Sequence, residues 1–97
     1  MRAVRKHDEW LSKKLKNARF AAEYLNAAAE DDDPASYMAA LRKVAEARGG
    51  LAQLAEDTGL SRETLYRTLS SRGNPTVKTL TAILDASGLK LSFSAKA

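Results

Sequence analysis

Arg62, Glu63 and Arg67 lie close together in a stretch whose other key positions are apolar, and their side chains suit the reading of nucleobase edges. Arginine bonds guanine bidentately, whereas glutamate accepts from cytosine and also suits the positive end of a helix. Gln53, Thr64, Tyr66, Arg72 and Lys78 flank them and suit phosphate oxygens. Phosphate contacts set register and affinity, carry no sequence information and weaken with salt. For Arg72 and Lys78, plain solvation is the competing account.

Side chains of this kind read bases only when a helix presents them. Leu51, Leu54 and Ala55 share one helical face at i, i+3 and i+4, and Gly59 supplies the backbone freedom that ends a helix before a tight turn. Leu60 then plugs the corner and Ser61 caps a second helix, along which Leu65 and Leu69 continue the apolar stripe. The pattern predicts a helix, a turn and a second helix of the kind that lays its N-terminal residues in the major groove. An ordinary corner of a small helical bundle is the alternative, but the small residue in the first helix, the glycine, the apolar plug and the serine cap together favour the DNA-reading form. One position departs from the usual pattern: Thr68 stands where an apolar residue is expected, and Leu69 takes over the stripe at i+4 from Leu65.

Other chemistries find little support. His7 is the single histidine, cysteine is absent, and neither a glycine-rich phosphate loop nor a Ser, His and carboxylate set can be assembled. An enzyme is therefore the least favoured class, and no cofactor or metal is expected. The acidic run Glu30 to Asp33 lacks defined ligand spacing, and Asp33 ahead of Pro34 reads as a helix N-cap. With 97 residues, the chain has room for one small core and an appended arm. A net charge of +4 and a pI of 9.6 suit a polyanionic partner. No apolar run approaches the roughly 20 residues of a membrane helix, and no signal-peptide core is present, so a soluble cytoplasmic protein with no membrane partner is expected.

The charge is unevenly placed. Residues 1–20 carry seven cations against Asp8 and Glu9, and residues 21–33 carry five carboxylates and no cation. Residues 1–7 are expected to be unstructured, followed by a helix from Asp8 through Lys16 with Trp10, Leu11 and Leu15 as its apolar positions. Trp10 has two readings left open, a partner anchor or packing on its own domain. Asn17 caps a helix carrying Phe20, Ala21, Tyr24, Leu25 and Ala28 at helical spacing. A third helix runs from Pro34 to about Arg48 and ends at Gly49 and Gly50. After the two helices of the central stretch, Gly73, Asn74 and Pro75 mark a loop, Thr76 caps a last helix with Val77, Leu80, Ile83 and Leu84 inward, and Gly88 ends it. The alternation of Leu89, Leu91 and Phe93 predicts a short strand, which needs a partner for its backbone.

Taken together, the Tyr24-Leu25-Asn26-Ala27-Ala28 segment, the step into Asp33-Pro34, Leu54-Ala55, Thr58-Gly59-Leu60-Ser61-Arg62-Glu63, Leu65-Tyr66, Gly73-Asn74-Pro75 and Gly88 to Leu91 resemble the probable addiction-module antidote proteins. The resemblance covers roughly residues 17–93. It implies an all-α, lambda-repressor-like helix-turn-helix bundle, here with an N-terminal helical arm and a short C-terminal β-strand. It further implies a bacterial antitoxin that neutralises a small RelE/ParE-like toxin and represses the shared operon by binding double-stranded operator DNA. On this reading residues 34–97 form the DNA-binding unit and residues 1–33 the toxin-binding arm, with Trp10, Leu11, Leu15, Phe20 and Tyr24 as candidate contacts. A homodimer is expected, because one such motif touches few base pairs and half-sites lie roughly 34 Å apart. Leu89, Leu91 and Phe93 are the candidate dimer surface, with coverage of the monomer core as the alternative. A stand-alone transcriptional regulator without a toxin is the competing functional class.

Overall fold

In the computed structural model, which describes residues 2–96, six helices follow one another: α1 Arg2–Lys14, α2 Ala18–Ala29, α3 Pro34–Ala47, α4 Gly50–Thr58, α5 Arg62–Thr68 and α6 Val77–Ala86. The starts of α2, α3 and α6 are chemically marked as the sequence suggests. Asn17 Oδ1 accepts from the Phe20 N–H at 2.9 Å, and Asp33 Oδ1 accepts from the Ala35 N–H at 3.1 Å with Pro34 leading the helix. Thr76 Oγ1 accepts from the Thr79 N–H at 3.1 Å. Each bond satisfies one of the donors that a helix N-terminus leaves without an internal partner.

Three expectations are corrected: Val77, expected to face inward, is 72% exposed because it opens α6 ahead of the buried Ile83 and Leu84, and two others concern the ends of the chain. The first helix begins at Arg2, so the backbone of residues 2–7 is helical and Asp8 lies inside α1 rather than at its cap. Leu11 and Leu15, one turn apart, anchor α1 in the core, and an anchored helix extends at the cost of fixing one residue per added bond. Asp8 instead approaches Lys43 of α3, Oδ1 to Nζ 3.8 Å. The third correction concerns the C-terminal strand: among the described residues there is no strand, and residues 89–96 form no regular element. Alternating side chains set which face packs, but strand formation needs a neighbouring edge, and none lies beside this segment.

The core is one continuous apolar cluster from Leu11 in α1 to Leu84 in α6. Helix α3 is its central wall, burying Met38, Ala40, Leu41, Val44 and Ala45 against α1, α2 and α4. Helix α4 in turn packs on α5 and α6. Leu15, Leu41, Val44, Leu65, Leu69 and Ile83 are almost wholly removed from water, each contributing about 1.5–3 kcal/mol of apolar transfer. After α6 the Leu89 N–H donates to the Leu84 carbonyl at 2.8 Å and the Gly88 N–H to the Asp85 carbonyl at 3.0 Å, a glycine-dependent helix ending with Gly88 at φ +79°. Leu89 and Leu91 then pack on the core.

Arg48, which ends α3, joins parts of the chain that are far apart in sequence. Its Nε donates to the Ser87 carbonyl, and its Nη1 donates to the carbonyls of Leu15 at 3.3 Å and Lys16 at 2.7 Å. One guanidinium therefore serves carbonyls at the C-terminal ends of both α1 and α6, where the helix dipole also favours a cation.

Candidate nucleic-acid interface

The surface is built on the corner between α4 and α5. Leu51 and Leu54 of α4 are buried, and the Gly59 N–H closes the helix on the Ala55 carbonyl at 2.9 Å. Gly59 holds φ +77°, ψ +6°, a left-handed conformation that residues with a Cβ adopt at a cost. Thr58 stiffens the turn from both sides: its Oγ1 donates to the Leu54 carbonyl at 2.7 Å and accepts from the Leu60 N–H at 3.2 Å. Ser61 Oγ then accepts from the Thr64 N–H at 3.0 Å and donates to Thr64 Oγ1 at 2.9 Å, so α5 starts from a fixed point.

Within α5, Leu65 is fully buried, and Leu69 just beyond its end is 1% exposed. Thr68 is only half-buried, so the stripe continues through Leu69, four residues on. Burying that stripe turns Arg62, Glu63, Tyr66 and Arg67 outward, and all four are exposed. The three residues expected to read bases thus share one exposed surface. Glu63 stands in the first turn of α5 and Arg67 in its last, each at the end whose dipole it complements. Among the described residues the ion pairs are Arg42–Glu46 and Lys43–Asp8, so Arg62, Arg67, Arg72 and Lys78 carry charge that no carboxylate of the fold engages.

The flanking positions differ in how free they are. Lys78 is exposed in the first turn of α6, and Arg72 is exposed in the loop after α5. Thr64 keeps its hydroxyl proton for a further acceptor, since Oγ1 accepts from Ser61. Gln53 Nε2 is already engaged by Asp57 Oδ1 at 2.9 Å. Tyr66, 49% exposed, carries the guanidinium of Arg42 over its ring at 5.2 Å from the centroid. Nothing in the local sequence pattern reveals that contact, because Arg42 belongs to α3.

The arm presents a separate aromatic corner. Trp10 is 51% exposed, stacks with His7 at 6.0 Å between centroids, meets the half-buried Phe20 edge-on at 6.2 Å, and has Lys14 Nζ 5.8 Å from its ring centre. One side of Trp10 packs on its own chain and the other faces outward. Tyr24 is half-buried. Leu11 and Leu15 are core residues, 6% and 1% exposed, and in this fold they face inward rather than toward a partner. At the other end of the chain Leu89 and Leu91 cover the core, and Phe93 is 91% exposed.

Among the described residues no group of three or more His, Asp or Glu side chains converges as a metal site requires, and Asp33 is occupied as a cap. No helix among them is long and apolar enough to cross a membrane.

The chain is 40% identical over 67 residues to an uncharacterized protein of Haemophilus influenzae (strain ATCC 51907 / DSM 11121 / KW20 / Rd), covering 69% of this chain and 68% of that one. No solved structure matches. The family described as "Probable addiction module antidote protein" matches residues 5–95, nearly the whole chain, which therefore belongs to the addiction-module antidote family.

Proposed function

We propose that this antidote-family protein is a non-enzymatic type II antitoxin with a lambda-repressor-like DNA-binding unit, which neutralises a RelE/ParE-like toxin and represses its own operon. In this reading α5 lies in the major groove of operator DNA, with Arg62, Glu63 and Arg67 at base edges. Thr64, Tyr66, Arg72 and Lys78 contact phosphates, with Gln53 joining them once it exchanges Asp57 for a phosphate oxygen. The observation that carries the DNA half is the row of exposed, unpaired cations on and beside a helix fixed by the Thr58, Gly59 and Ser61 corner. The toxin half rests on membership of the antidote family, and the outward side of Trp10 with Phe20 and Tyr24 is its anchor.

The division near residue 33 is then one of surfaces rather than of cores. Deleting the arm would remove Leu11, Leu15, Ala21 and Leu25 from the shared cluster, so point substitutions are the proper probe. A homodimer in the cytoplasm completes the reading, with the exposed Phe93 end of the tail as the candidate contact.

The test has two arms. Duplex from the region upstream of the gene is titrated with the protein: Arg67→Ala should relax preference at one base position, and Lys78→Ala should weaken all sequences alike. If Arg67→Ala changes neither affinity nor preference, α5 does not read bases. In the second arm the product of the neighbouring gene is co-expressed, and it should copurify with the unaltered chain.

A further inference from the structure

The Arg42–Tyr66 contact joins α3 to the exposed row of α5, and no role in the DNA surface has so far been assigned to α3. The Arg42 guanidinium offers five donors in a planar fork. Here Nε faces Glu46 Oε2 at 3.4 Å while the guanidinium lies 5.2 Å from the Tyr66 ring centre. The side chain is 37% exposed, so the fork is only partly enclosed by these two neighbours. Tyr66 follows Arg62 by one helical turn and precedes Arg67, which puts the Arg42 charge beside the same exposed row. The Glu46 pair is an exposed i, i+4 contact, worth little and readily exchanged for a stronger anion.

We propose that Arg42 is a phosphate-contacting residue of the DNA surface, supplied by α3 and seated on Tyr66, and that Glu46 holds its guanidinium until a backbone phosphate of duplex DNA takes its place. The inference rests on the DNA-binding reading of α5. Stacking on Tyr66 fixes the plane of the fork in advance, so fewer rotamers are lost when a phosphate oxygen arrives. The ring benefits in return, because the guanidinium on one face limits its swing.

A mixed-sequence duplex carrying a fluorescent label is the probe, since phosphate contacts act on every sequence. Binding is measured across a series of potassium chloride concentrations for the full chain, Arg42→Met, Glu46→Gln and Tyr66→Phe, each checked by thermal melting. Arg42→Met keeps the aliphatic stem and should weaken binding several-fold, and it should lower the slope of log K against log salt by roughly 1. Glu46→Gln should strengthen binding at low salt. Tyr66→Phe keeps the ring beneath the guanidinium and should leave the Arg42 contribution to the slope intact. If Arg42→Met weakens binding with no change of slope, Arg42 only braces Tyr66 and the proposal fails. It fails equally if both affinity and slope are unchanged. If the unaltered chain shows no salt-sensitive binding, the DNA-binding reading falls together with it.

Discussion

Replacing Arg48 by alanine removes one guanidinium and leaves three backbone carbonyls without their donor. The Lys16 carbonyl lies in an exposed setting, where water substitutes at little cost, whereas the bonds to Leu15 and Ser87 are partly buried. A hydrogen bond from a charged donor contributes about 1.5–3 kcal/mol, and a cation at a helix C-terminus a further 0.3–1 kcal/mol or so. The three bonds share one side chain and do not add. Counting the two partly buried bonds and discounting for hydration that persists after substitution, the expected loss is about 2–3 kcal/mol. For a chain of this length that corresponds to a fall in Tm of about 10–15 °C. Arg48→Lys restores the charge but not the fork, and should recover less than half of the loss. Urea and thermal unfolding followed by circular dichroism measure both variants. A loss under about 0.5 kcal/mol for Arg48→Ala would refute the view that Arg48 ties the ends of α1 and α6 to α3.

Other substitutions test separate features. Gly59→Ala meets no neighbouring atom but must hold φ +77°, so its unfolding cost should be about 1–2 kcal/mol. Gly73→Ala keeps an ordinary φ but drives its Cβ into the Thr68 carbonyl oxygen, so the loop must shift and the cost should be larger, about 2–3 kcal/mol. Trp10→Ala should leave DNA affinity unchanged and abolish copurification with the toxin; retained copurification would remove Trp10 from the toxin surface. Truncation after Gly88, followed by sedimentation, tests the tail as a dimer contact, and an unchanged dimer would exclude it. Burial raises the Tyr37 pKa, so its neutral form is favoured in the fold. Stability should be unaffected by Tyr37 below about pH 10 and should decline as pH rises through its folded value, a trend that Tyr37→Phe should remove.

What the sequence makes legible here is chemistry that acts within four residues. Asn17, Asp33, Ser61 and Thr76 cap helices as their types and neighbours suggest, and the Thr68 departure is absorbed by Leu69 as the i+4 spacing allows. Features set by distant partners stay hidden. Arg48 reaches residues 32, 33 and 39 positions away, and no pattern around Ala47 and Gly49 marks it as other than a solvated cation. Arg42 on Tyr66 and the closeness of Gly73 to Thr68 likewise depend on how elements meet. The alternation of Leu89, Leu91 and Phe93 carries no information about whether an edge lies alongside to make a strand, and it stops governing burial at Phe93, which is exposed while Leu89 and Leu91 pack on the core. The early start of α1 is hidden for a related reason: charged residues that read as unstructured become helical once Leu11 and Leu15 are anchored.

The proposed recognition surface also depends on more than its own motif. Helix α5 has seven residues, about two turns, far below the length at which a helix persists alone in water. It exists because Leu65 and Leu69 are buried and because Ser61 fixes its start. Those leucines belong to the same cluster as Leu11 and Leu15 of α1, with α3 as the wall between them. Adjacent residues of that wall face opposite duties: Arg42 lies on Tyr66 of α5, and Lys43 meets Asp8 of α1. An arm and a proposed DNA-binding unit that look separable by charge and by family pattern are therefore joined through α3. A change that loosens α1 from α3 must also lower the stability that keeps α5 helical, so variants of the arm need their DNA affinity read alongside their melting temperature.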